Sequence, residues 1–311
     1  MSGASTAQWI DPAALMRIHS LELRARMIME GLWRGLHHSP QQGFSAEFSE
    51  YRQYVPGDDP RFMDWKVAAR SDRYFIKKFE EETNLRCHML MDVSASMNYG
   101  DAGVTKLDYA RTLAATLSLF LMNQGDAVGL TLFDQGIAEY LPARNRTSHL
   151  HAIIQHLQKV QPGRGTSLGM SLRASGELVR RRALVVLISD FLAPLDELEA
   201  ELSWLGVMHH DVVAFQILDP KEIAFPFDQP ALFKDVESGR QVLLDPTIMR
   251  QRYVERFRAH QEKLQAICAR QGVEYLLGRT DAPLEGFVFE FISARRRLKR
   301  CSHPSTSQTA S

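Results

Sequence analysis

The chain has 311 residues, 45% hydrophobic and 24% charged. That is an ordinary globular composition, long enough to bury a large core without staples. Its 37 Lys and Arg balance its 37 Asp and Glu, so net charge gives no reason to expect nucleic acid or an anionic membrane as partner of the body of the protein. Cys87, Cys268 and Cys301 are widely spaced, odd in number and without a CxxC pair, which excludes a disulfide framework or zinc ribbon and suggests a reducing compartment.

The N-terminus has no basic stretch followed by an apolar one, and no run reaches the roughly 18 apolar residues of a spanning helix. A cytoplasmic protein without a membrane span is expected.

Residues 1–8 are small and polar and are predicted to be disordered. From Pro12 to Gly35, Leu15, Ile18, Leu21, Ala25, Ile28 and Leu32 recur at helical spacing and predict one or two helices. Pro56-Gly57-Asp58-Asp59-Pro60 is a turn, followed by a short helix over Arg61–Arg70 and a strand over Tyr74–Phe79. Strands and helices then alternate. Strands are predicted at Leu85–Met91, Ala127–Phe133, Ile137–Leu141, Ala183–Ser189, Val212–Leu218 and Val273–Leu277. Helices are predicted at Leu107–Asn123, Ser148–Val160, Leu168–Arg180, Leu195–Leu205 and Thr247–Arg270. Residues 220–246, with four prolines and a Glu237-Ser238-Gly239-Arg240 turn, read as an inserted loop with a hairpin. From Ala294 the tail is basic, then rich in Ser and Thr.

Such alternation predicts an α/β fold with a doubly wound, mostly parallel sheet and helices on both faces. The apolar run Ala183–Ser189 suits a strand covered on both sides. Three segments follow: an N-terminal α+β extension over 1–82, the α/β domain over 83–292 with the 220–246 insertion, and a disordered tail over 293–311. Ligands in such sheets bind beyond the carboxyl ends of the strands, so the residues just past those ends carry the functional reading.

Asp92-Val93-Ser94-Ala95-Ser96 follows the first strand of the alternating region. D-x-S-x-S can place a carboxylate and two hydroxyls on one side of a tight loop. Such hard oxygen donors suit Mg²⁺, and Mn²⁺ also fits them. Further donors are expected from two other loops: Thr166, in Gly163-Arg164-Gly165-Thr166-Ser167, and Asp190, at the end of Leu184–Ser189. The competing structural reading makes Asp92, Ser94 and Ser96 the cap of a helix.

D-x-S-x-S, then Gly-Thr before a helix, then Asp at a strand end resembles the metal-ion-dependent adhesion site of von Willebrand A domains, with Asp92, Ser94, Ser96, Thr166 and Asp190 as its ligands. The resemblance implies a von Willebrand A or Rossmann-like fold. It also implies a metal position completed by an acidic residue of a partner protein. Asp190 is followed by Phe191, where many members carry Gly. Upstream, Glu47-Phe48-Ser49-Glu50-Tyr51-Arg52, Pro56–Arg61, Asp64-Trp65, Lys77 and Glu80-Glu81-Glu82 are similar to a bacterial family of unknown function with a von Willebrand A-like core, often encoded beside MoxR-type AAA+ ATPases. That similarity, over residues 10–290, implies an adaptor in ATPase-driven maturation or assembly, with such an ATPase as partner.

A protein-binding module rather than an enzyme is therefore expected. Gly165-Thr166-Ser167-Leu168-Gly169 matches the serine-hydrolase elbow G-x-S-x-G, with Asp190 and His209 available to complete a triad, but lacks the strand that should precede it. Mg²⁺-dependent phosphoryl transfer is the other enzymatic reading; Val93 and Ala95 leave no second carboxylate beside Asp92, and no phosphate-cradling loop is present. Asp126 and Asp134 read as turn residues. The charged set Tyr51, Arg52, Asp58, Asp59, Arg61, Asp64 and Arg70 reads as an internal ion-pair network. His37, His38, His149, His151, His209 and His210 lack zinc-site spacing. The basic stretch Arg295–Arg300 reads as a solvated tail.

Overall fold

The structure is a computed structural model. It describes residues 9–37, 51–53, 75–77 and 85–301, apart from 102, 164, 166–167 and 236–238. The chain forms two compact units, one of Met1–Gly35 with Leu85–Ser311 and one of Leu36–Asn84. In the smaller unit β1 (Tyr51–Gln53) pairs antiparallel with β2 (Phe75–Lys77), Tyr51 opposite Lys77. The expected helix over 61–70 and most of the charged set lie outside the described residues.

The larger unit is built on a six-stranded sheet. Its strands are β3 (Arg86–Asp92), β6 (Ala127–Phe133), β7 (Ile137–Arg144), β8 (Leu184–Ser189), β9 (Asp211–Leu218) and β12 (Glu274–Arg279). Their spatial order is β12-β9-β8-β3-β6-β7. Only β7, at one edge, runs antiparallel to its neighbour. The chain moves outward from β3 in one direction, then returns and continues from β8 in the other, so the order reverses between β3 and β8. A doubly wound sheet opens its ligand crevice at that point.

Both faces are covered, which the strand sequences require. Cys87, Met89 and Met91 of β3 and Leu184, Val186 and Ile188 of β8 join one core cluster. Leu90, Val185 and Leu187 join the other. Successive side chains of a strand point to opposite faces, so each strand feeds both cores.

The first face is covered by α1 (Pro12–Met16), α2 (Leu21–His37), α3 (Lys106–Asn123), α4 (Thr147–Lys159) and α9 (Leu284–Cys301). On the second lie α5 (Leu168–Leu178), α6 (Leu195–Val207) and α8 (Pro246–Arg270). Helix α3 is buried on nearly every side. Its Thr112, Thr116 and Ser118 hydroxyls donate to the carbonyls of Asp108, Thr112 and Ala114 at 2.7–2.8 Å, so these groups enter the core already satisfied.

The N-terminal helices are not a separate extension. Leu15, Leu21, Ala25, Ile28 and Leu32 belong to the core of the sheet, and the backbone N–H of Ile10 donates to Glu285 Oε1 at 3.1 Å. A second correction concerns the tail. Helix α9 continues to Cys301, past the boundary at 293. Leu284, Phe287, Val288, Phe291 and Ile292 form its apolar stripe and anchor it on the sheet. The 220–246 insertion does carry the expected hairpin, β10 (Ala231–Lys234) with β11 (Gln241–Leu244), preceded by a short α7 (Pro220–Ala224).

Candidate metal centre at the switch point

The carboxyl ends of β3 and β8 bring Asp92 and Asp190 to the point of reversal. Backbone pairing carries β3 one residue past Asp92, with Val93 N–H donating to the Phe133 carbonyl at 2.8 Å. The chain then turns sharply. Asp92 Oδ1 accepts from Ser94 N–H at 2.9 Å, and Oδ2 accepts from the Ser189 hydroxyl at 2.7 Å. Ser94 opens a 3-10 turn over Ala95–Asn98, yet its side chain caps no backbone N–H. The capping explanation of this motif is therefore not realised. The Ser94 and Ser96 hydroxyl oxygens lie 3.1 Å apart, with Ser94 and Asp92 fully enclosed and Ser96 partly open.

Thr166 lies outside the described residues, as does Ser167. Their described neighbours bring the loop to the same edge. Gly163 N–H donates to the carbonyl of Val93 at 2.6 Å. A Cβ on Gly163 would meet Asp134 Oδ2, and one on Gly165 would stand 2.9 Å from Gln135 Nε2. Gly163 is what lets this loop press onto the turn between β6 and β7, since Asp134 Cβ would also stand 2.8 Å from an added Cβ, whereas at Gly165 the Gln135 amide can swing aside. Asp134 serves that turn as expected, accepting from Gly136 N–H at 3.4 Å, whereas Asp126 accepts from Leu85 N–H at 3.0 Å and so ties the start of β3 to that of β6.

Asp190 is engaged more heavily than its motif implies. Its Oδ1 accepts from Leu192 N–H at 3.2 Å, and its carbonyl accepts from Gln216 Nε2 at 2.8 Å. Oδ2 accepts from Lys106 Nζ at 2.7 Å, and the same ammonium donates to Glu222 Oε1 at 2.6 Å. Phe191 has φ 53°, a left-handed conformation that suits glycine. That accounts for the residue usual at this position. Phe191 holds the shape through packing: its side chain is buried, its N–H donates to the Ser189 hydroxyl and its carbonyl meets His260 Nε2 at 2.7 Å.

The electrostatics follow from burial and proximity. Burial, and then the charge of Asp190, push the Asp92 carboxyl up to about 6, against the hydrogen bonds from Ser189 and Ser94. Burial alone would lower Lys106, but Asp190 and Glu222 outweigh it and raise it. Burial raises Glu222 in spite of Lys106. Two carboxylates, Asp190 and Glu222, thus share one ammonium, while Asp92 lies beside Asp190, and among the described residues no basic side chain pairs with Asp92.

Lys106, Ser189 and Glu222 were not evident from the motif. Two signals existed. Lysine is a poor choice for the first turn of a helix, where the dipole disfavours a cation, and Lys106 holds that place in α3. Asp219-Pro220-Lys221-Glu222 forms a capping box that fixes Glu222. Among the described residues no three His, Cys, Asp or Glu converge as a metal cluster, so any ion here would rely on hydroxyls beside carboxylate. Asp92, Ser94 and Ser96 fit a hard, oxygen-seeking cation on that chemistry, with Asp190 shared with Lys106. The hydrolase reading loses its geometry: Asp190 follows the carboxyl end of β8, whereas His209 precedes the amino end of the parallel β9.

Residues 50–263 match the family described as protein of unknown function DUF58. The chain belongs to the DUF58 family. A protein of Mycobacterium tuberculosis is 28% identical over 303 residues, covering 94% of this chain and 93% of its own. A second relative, from Mycobacterium avium, is 30% identical over 125 residues, 38% of this chain and 69% of that one. Similar solved structures include BatB of Bacteroides thetaiotaomicron, at 16% identity and TM-score 0.45 over 68% of this chain and 99% of that one. The SpRpn10 VWA domain has 11% identity and TM-score 0.40 over 66% and 93%. No helix of the described DUF58 chain is long and apolar enough to cross a membrane.

Proposed function

We propose that this DUF58 chain is a protein-binding module that depends on a divalent cation, Mg²⁺ with Mn²⁺ as an alternative, and works in the cytoplasm without catalysing a reaction. The observation that carries this reading is the Asp92 carboxylate, enclosed at the switch point beside the Ser94 and Ser96 hydroxyls, the first of which caps no backbone N–H, with no basic partner among the described residues. A buried carboxylate without a counterion is costly, and a cation held by Asp92, Ser94 and Ser96, with Thr166 and Asp190 in support, would compensate it. A bound ion supplies a Lewis-acidic position for the carboxylate of a partner's Asp or Glu. Rigid elements aim the protein's share of the site. Asp92 is fixed by Ser94 N–H and Ser189, and Asp190 by Leu192 N–H and Lys106.

The resemblance to a family encoded beside MoxR-type AAA+ ATPases makes such an ATPase the first partner to test, with this chain as adaptor in the assembly or maturation of other proteins. The test is affinity capture from the native lysate with Mg²⁺ or with EDTA, wild type beside Asp92→Ala. A MoxR-type ATPase or another acidic-surfaced client retained only with Mg²⁺ and intact Asp92 is the expected result. Identical captured proteins in every lane would sink the reading.

A further inference from the structure

Lys106 is the one basic residue among the described site residues, and the adhesion-site motif does not assign it. It is wholly enclosed, at 0% exposure, and stands at the first position of α3, where the helix dipole opposes a cation. Burial strips the ammonium of water, and a buried ion pair seldom stabilises a fold more than apolar side chains of the same volume. Packing alone does not account for a lysine here. Its position does. Nζ bridges Asp190 Oδ2 at 2.7 Å and Glu222 Oε1 at 2.6 Å, joining the carboxyl end of β8 to α7, which follows β9.

The charges can be added. Asp92, Asp190 and Glu222 carry three negative charges, and a divalent cation with Lys106 carries three positive ones, so the loaded site is neutral. Without Lys106 the loaded site would be negative and would repel an incoming carboxylate. Lys106 also occupies Asp190 Oδ2, which leaves Asp92 as the site carboxylate with no ammonium partner among the described residues.

We propose that Lys106 sets the charge of the cation site: by engaging Asp190 and Glu222 it weakens divalent-cation binding and keeps the loaded site open to an acidic ligand. This rests on the cation-dependent reading above. The price of the arrangement is lower metal affinity, and the return is a site that can still accept an anion.

The test titrates Mn²⁺ against the full chain by EPR for wild type, Asp92→Ala, Lys106→Met and the double variant Lys106→Met/Glu222→Gln. The double variant guards against misfolding, because it removes the ammonium together with one carboxylate and leaves the net charge of the ion-free site unchanged. Thermal melts without metal establish that each variant is folded. Lys106→Met should bind Mn²⁺ at least about tenfold more tightly; one unit charge a few ångströms away at an effective dielectric near 20 sets an upper scale on the order of a thousandfold, which solvent screening and relaxation of the site reduce. The double variant should bind more tightly than wild type by a smaller factor, since Asp190 is released. Acetate, read by the change in water proton relaxation of the Mn²⁺-loaded protein, should bind wild type more tightly than Lys106→Met, whose loaded site is negative, and the double variant, whose loaded site is neutral again, should recover most of that binding.

Saturable wild-type binding that is lost in Asp92→Ala and unchanged in both Lys106 variants would overturn the role of Lys106 and leave the cation site standing. Binding by the Lys106 variants alone would uphold that role in the cation step and overturn the reading of the native protein as metal-loaded. Absence of binding throughout would overturn both. Equal acetate affinity in wild type and Lys106→Met would overturn the second half of the proposal.

Discussion

A Cβ on Gly163 would stand 2.3 Å from Oδ2 of Asp134, so Gly163 sits against the β6–β7 turn only because it has no side chain. Gly163→Ala should cost about 1–3 kcal/mol, the usual penalty of forcing a methyl group into filled space. It should also break the 2.6 Å bond from Gly163 N–H to Val93, which ties this loop to the Asp92 turn. Urea denaturation gives the stability, and Mn²⁺ titration gives the site. Asp134→Gly, which clears the opposing side chain, should restore part of both in the double variant; additive losses would refute the steric account.

At Phe191 two effects compete. The left-handed backbone at φ 53° costs a non-glycine residue about 1 kcal/mol. The side chain, 1% exposed in the second core, contributes about 3–5 kcal/mol by comparison with truncations of buried aromatics. Phe191→Gly should therefore destabilise by about 2–4 kcal/mol, less than Phe191→Ala, which loses the ring and keeps the strain. Chemical denaturation of both variants decides the order; an alanine variant as stable as the glycine one would mean the backbone there is relaxed.

The central sheet was legible because its strands are short apolar runs punctuated by turns, and Leu184–Ser189 is buried throughout. D-x-S-x-S drew attention to Asp92, Ser94 and Ser96, and the apolar run of β8 to Asp190 just past its end. Partners drawn from far along the chain were hidden. Ser189 is 97 residues from Asp92, and Glu222 is 116 from Lys106, so no local pattern announces either pair. Helix α9 was readable in principle from Leu284, Phe287, Val288, Phe291 and Ile292. The basic run after it drew the reading toward a tail, whereas core burial decides where that helix sits. The strands β4 (Gly100–Asp101) and β5 (Val104–Thr105) are two residues each, too short for any periodicity.

Asp92 should trade stability for binding. Its carboxyl is pushed up to about 6 by burial and by Asp190, from an ordinary 3.8. The folded state thus disfavours the ionised form, and this destabilisation grows as pH rises through 4 to 6 and is complete above it. Asp92→Asn should raise the metal-free stability at pH 7.5 by on the order of 1–2 kcal/mol. The gain should vanish near pH 4. The variant should also lose any thermal stabilisation by Mg²⁺. Paired melts with EDTA and with Mg²⁺ check both halves. A metal-free variant less stable than wild type at pH 7.5 would show that the carboxylate is compensated within the protein itself.

His88 supplies an acid-sensitive point at mid-sheet, separate from the Asp92 edge. It lies on β3 and is 6% exposed, and its Nδ1 is buried without a hydrogen-bond partner among the described residues. Burial, then His210 and Arg86, lower its pKa from 6.5 to about 4. Since the folded state resists protonating this ring, the stability it contributes is present above the unfolded value of 6.5 and is lost as pH falls toward 4. The full difference is on the order of 3 kcal/mol. His88→Met, similar in bulk and without a proton to bind, should gain on wild type steadily between pH 7 and pH 4.5. His210, also lowered by burial, stays in both proteins, as does Asp92 with its opposite slope, so subtracting the two urea curves at each pH isolates His88. A difference that does not change with pH would place the His88 ring in contact with water.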